Sequence, residues 1–110
     1  MTKTENFGYL GYNFQLKILN LIIIDKLFAQ SIIDSIQPKY FDNQYFKLIM
    51  QMIKEYYAKY QSVPSFEGIE QLTQLEISSE MAKKYVIDML KDIKDASFED
   101  HLFIKEKTVK

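Results

Sequence analysis

Few side chains in this sequence could do chemistry, and those few are poorly placed for it. His101 is the only histidine and there are 0 Cys in 110 residues, so neither a histidine pair nor thiolates can hold zinc. A general base needs an orienting partner and a cleft. His101 stands instead among Glu99, Asp100 and Lys105 and reads as a solvated surface histidine. Glu67 and Glu70 lie one helical turn apart, as do Asp92 and Asp95. That spacing would suit paired carboxylates sharing acid–base work, yet solvated helix faces are the simpler reading. A P-loop needs Gly-Lys-Ser/Thr after a glycine-rich turn to cradle phosphates. The three glycines here precede Tyr9, Tyr12 and Ile69, so no P-loop exists.

Aromatic and sulfur side chains offer binding rather than catalysis. Tyr56, Tyr57 and Tyr60 interleave with Lys54 and Lys59, a pattern that could stack single-stranded bases. Tyr57 and Tyr60 also continue an apolar stripe, which predicts rings packed inward with hydroxyls at the rim. Every basic residue is Lys; there is no Arg. The fork that reads guanine and clamps phosphate is therefore missing, and without an extended basic patch direct nucleic-acid binding is not expected. Met50, Met52, Met81 and Met89 read mostly as core filler, with Met81 and Met89 available to a partner.

The elements that would carry these residues are helices. With only 3 Gly and 2 Pro, long periodic segments outweigh turns. A loose leader over 1–12 precedes Asn13, a plausible N-cap, and a first helix runs to Ile24. Asp25 caps a second over Lys26–Ile36, stopped by Pro38. Asp42 is the expected cap of a third, Asn43 to about Tyr60, in which Phe46, Ile49, Met50, Ile53, Tyr57 and Tyr60 repeat at three- and four-residue steps. Ser65 caps a short fourth to about Gln74. Ser78 or Ser79 caps a fifth, Glu80–Lys94, with Tyr85, Val86, Met89, Leu90 and Ile93 on one face. Ser97 caps a sixth through Leu102 and Phe103. The expected fold is all-α: a compact body of about four helices over 13–74, then an antiparallel helical hairpin over 78–110.

Composition bounds the function classes. The chain is 47% hydrophobic and 15% aromatic, too apolar for disorder, and its length suits one domain. Net charge is -1; residues 1–60 carry +2 and 61–110 carry -3. The longest apolar run, Ile18–Ile24, is far short of a membrane span. The polar start is no signal peptide, and a chain without cysteine fits a reducing cytoplasm.

Certain segments resemble a known family. Phe14-Gln15-Leu16-Lys17-Ile18-Leu19-Asn20-Leu21-Ile22-Ile23-Ile24-Asp25 resembles the opening helix of the N-terminal domain of DnaB-type replicative helicases, particularly phage members. Gln37-Pro38-Lys39-Tyr40-Phe41-Asp42 is similar to the aromatic pair leading into that domain's third helix. Tyr56-Tyr57-Ala58-Lys59-Tyr60 and Val63-Pro64-Ser65 are similar to its exit and the start of the next. The match is best over 14–73; beyond, only the hairpin pattern carries it. These motifs are structural, not catalytic. The resemblance implies the N-terminal collar of a hexameric, ATP-driven DNA helicase, which pairs through its hairpin and lies where primase or helicase loader docks. It implies a chain that is no enzyme itself, takes no cofactor, and leaves ATP and Mg²⁺ to a separate motor domain. On this view the sequence is one domain of a longer protein.

Two amphipathic helices in a hairpin cannot bury both faces on a small body, so a leftover apolar stripe should seek a copy of itself. Met81, Tyr85, Met89, Phe98 and Leu102 are the candidates. The competing expectation is a free-standing small regulator that binds a replication or transcription protein.

Overall fold

The computed structural model describes residues 11–96. The described residues are all-α, with five α-helices, one short 3₁₀ turn and no strand. Helix α1 (Tyr12–Ile24) is the centre. Ile18, Leu19, Leu21 and Ile22 are fully buried, as a helix apolar on most sides must be. Its start is not Asn13, which is exposed. Gly11 is the N-cap, at φ 92, a backbone region glycine enters without the Cβ penalty. Gln15 fixes this end. Its amide nitrogen donates to the Gly11 carbonyl at 3.2 Å, and its oxygen accepts from the Asp42 amide at 3.2 Å. One buried side chain thereby joins the start of α1 to the approach to the third helix.

Helix α2 (Lys26–Ile32) begins at the expected cap, with Asp25 Oδ1 accepting from the Phe28 amide at 3.0 Å. It ends one turn earlier than Ile36. Pro38 opens the 3₁₀ turn Pro38–Tyr40, and Gln37 before it is extended, as the residue preceding proline prefers. The intervening turn still sends Ile33 and Ile36 into the core. The Ile36 carbonyl, freed from helix bonding, takes the Lys54 ammonium at 2.6 Å.

Helix α3 (Gln44–Tyr60) is capped by Asn43 rather than Asp42. Asn43 Oδ1 accepts from the amides of Tyr45 and Phe46 at 2.7 and 3.4 Å, while the Asp42 backbone is committed to Gln15. Phe46, Ile49, Met50 and Ile53 form the predicted stripe and are fully buried. The helix closes on Gln61 in the left-handed conformation, φ 59.

Helix α4 (Phe66–Glu76) starts at Ser65, whose hydroxyl accepts from the Gly68 amide at 3.0 Å. Helix α5 (Glu80–Lys94) starts at Ser79, whose hydroxyl accepts from the Ala82 amide at 3.2 Å. Its bounds are those the periodicity predicts. Helix α5 packs against α1, α3 and α4 together, and Val86, Leu90 and Ile93 close the core. It is as much part of the body as α3. The second arm of the expected hairpin, from Ser97, lies outside the described residues. The radius of gyration is 13.1 Å, near the ~13 Å of a packed hundred-residue domain.

Candidate interaction surface

Helix α5 presents three faces. The inner one is core. A buried hydrogen bond sets its depth: Asn20 on α1 donates through Nδ2 to the Ile93 carbonyl at 2.9 Å. The same carbonyl accepts from the Ala96 amide at 3.2 Å. Asn20 Oδ1 is buried with no hydrogen-bond partner. The N-terminal turn is held by Ser79 and by a Lys83–Glu80 ion pair at 3.3 Å.

One edge of α5 lies toward α3 and α1 and carries the predicted stripe. Met81 is 68% exposed and Tyr85 46% exposed. Tyr85 is not free, since its ring tilts against Tyr45 of α3 at 5.4 Å between centroids. Met89 is half-buried and packs on the core. Of the stripe, then, Met81 and Tyr85 face solvent, Met89 is shared with the fold, and Phe98 and Leu102 lie outside the described residues. Further along this edge, Asp92 accepts a hydrogen bond from the Tyr12 hydroxyl. The Tyr12 pKa is raised, first by burial and then by the charge and hydrogen bond of Asp92.

The other edge lies toward α4. Glu67 and Glu70 of α4 and Lys91 and Lys94 of α5 line a groove of about 160 Å³ with Phe66, Ile87 and Leu90. No ion pair joins the acidic residues to the basic ones. The two glutamates were read from sequence as a solvated face. Their alignment with two lysines on another helix is legible only once α4 and α5 pack antiparallel.

The tyrosine cluster at the end of α3 divides. Tyr57 leans on the core, as expected. Tyr60 does not: it is 56% exposed, tilted against Tyr56 at 4.6 Å, with the Lys59 ammonium 5.5 Å from its ring centre. The expected inward packing fails for Tyr60, whose ring lines a groove with Leu72 and Glu76 of α4 instead of entering the core. Glu55 and Glu76 line the same groove, so its charge does not favour a polyanion. A further groove of about 240 Å³ between the end of α1, α2 and the end of α3 is lined by Ile22, Ile23, Val63 and Lys26 among others.

No constellation for chemistry assembles among the described residues. No group of three or more His, Asp or Glu is close enough to hold a metal ion. Asp92 is engaged by Tyr12, and Asp95 forms the C-cap of α5. His101 lies outside the described residues. No described helix is long and apolar enough to cross a membrane. Comparison with protein-family models, with curated proteins and with solved structures finds no match.

Proposed function

We propose that this chain is a protein-binding assembly module, in the role of the N-terminal collar of a hexameric replicative DNA helicase. It pairs with copies of itself and docks a primase or helicase loader. It has no chemistry of its own; ATP and Mg²⁺ belong to a motor domain elsewhere. Support for the family comes from the resemblance over 14–73. The observation that carries the interaction reading is the outer surface of α3, α4 and α5. Leu48, Tyr60, Leu75, Met81 and Tyr85 are all exposed on these helices, large apolar side chains that a partner could cover.

Sedimentation velocity on the full chain tests self-association, which should appear as a concentration-dependent rise in mass. A monomer at all concentrations overturns it. The gene beyond the codon for Lys110 tests the collar. An open frame reaching Gly-x-x-x-x-Gly-Lys-Ser/Thr supports it, and a stop codon within a few residues replaces it with a free-standing regulator.

A further inference from the structure

The groove between α4 and α5 has acidic residues on one helix and basic residues on the other. Glu67 and Glu70 stand one turn apart on α4, and Lys91 and Lys94 one turn apart on α5. Phe66, Ile87 and Leu90 lie between them as an apolar floor. All four charged residues are exposed, and among the described residues no ion pair crosses the groove. An occupant that fits this groove would bring an acidic edge, a basic edge and an apolar ridge.

We propose that the occupant is a second copy of this chain, seated face to face on the α4–α5 groove. The charge pattern selects one symmetry. A two-fold axis lying in the contact plane and running along the groove sets each α4 over the other copy's α5. Glu67 and Glu70 of each copy then face Lys91 and Lys94 of the other, twice over, as an isologous contact requires. An axis across the groove would set acid on acid and base on base, which costs several-fold in affinity or more.

The face is small. Two helices about 10 Å wide and ~16–22 Å long offer on the order of 400 Å² per copy, about half of a standard interface. The contact is therefore weak, salt-sensitive and concentration-dependent. This inference rests on the self-association reading and adds to it a face on the opposite edge of α5 from Met81 and Tyr85.

A charge-swap experiment on the full chain decides it. One variant carries Glu67→Lys and Glu70→Lys; the other carries Lys91→Glu and Lys94→Glu. Helical content by circular dichroism establishes that each is folded, and Glu67→Gln with Glu70→Gln provides a milder version should a swap unfold. Each swapped variant alone should self-associate at least tenfold more weakly than the parent chain by sedimentation. The equimolar mixture should regain association as a heterodimer, because one variant's walls are all basic and the other's all acidic. Folded variants whose mixture regains nothing overturn the inference. Swaps that change melting but not association would place an intramolecular occupant in the groove, and also overturn it. If the swaps leave association untouched while Met81→Asp abolishes it, the groove is wrong and the self-association reading stands. A parent chain that stays monomeric to about 1 mM overturns both.

Discussion

Single residues hold this fold at points where polar atoms are buried. Asn20 is the sharpest case, since it spends one hydrogen-bonding atom on the Ile93 carbonyl and leaves the other with no hydrogen-bond partner. Net, a buried hydrogen bond is worth about 1 kcal/mol, and an unsatisfied group costs about 1–3 kcal/mol. Asn20→Ala removes donor, orphan and packing together, and urea denaturation should show a loss of about 1–3 kcal/mol. Tyr12 gives a pH signature. Its raised pKa means that the folded state holds the phenol proton more tightly than the unfolded chain does. Stability is therefore complete below the unfolded value of 10.0 and falls as pH rises from there through the folded pKa. Tyr12→Phe should flatten that alkaline fall, measured as the difference between the two proteins' denaturation midpoints at pH 9 and 11. None of this was legible in the sequence. Asn20 sits within an aliphatic run and Tyr12 in what reads as a loose leader, and each acquires its partner from α5, more than seventy residues away.

Helices, by contrast, were legible wherever local chemistry decides. Ser65, Ser79 and Asp25 cap as their side chains predict, because a hydroxyl or carboxylate at the N-cap satisfies an amide regardless of the rest of the fold. The errors fall where a distant partner competes. Asn43 displaces Asp42 because Gln15 holds the Asp42 amide. Helix α2 stops early because Pro38 extends Gln37 and Lys54 takes the Ile36 carbonyl. At the end of α3, Gln61 occupies a left-handed position that glycine fills without strain. Its side-chain amide offers the carbonyls of Tyr57 and Ala58 only long contacts of 3.4 Å. Gln61→Gly should accordingly raise stability by about 0.5–1 kcal/mol, seen as a higher urea midpoint with unchanged slope.

At the scale of the whole molecule, α5 is a core helix with two exposed edges, where the periodicity alone places a single leftover stripe. Of that stripe, Met81 and Tyr85 are exposed, Met89 is half-buried against the core, and Phe98 and Leu102 lie outside the described residues. The two methionines should separate cleanly. Met81→Asp should change folding stability by no more than about 0.5 kcal/mol, as exposed substitutions do, while lowering self-association. Met89→Asp places a charge against apolar neighbours and should lose about 2 kcal/mol or more in the same denaturation experiment. Two distinct self-contacts on opposite edges of one helix cannot both be closed by a single pair of copies; used together they build larger assemblies. The clasp between Asn20 and Ile93 bears on how such an assembly would behave mechanically. It lies in the last turn of α5, where the Ile93 carbonyl holds the Asn20 amide and the Ala96 amide at once. Tension that reached Ala96 along the backbone would thus be shared with the middle of α1, where Ile18, Leu19, Leu21 and Ile22 are fully buried.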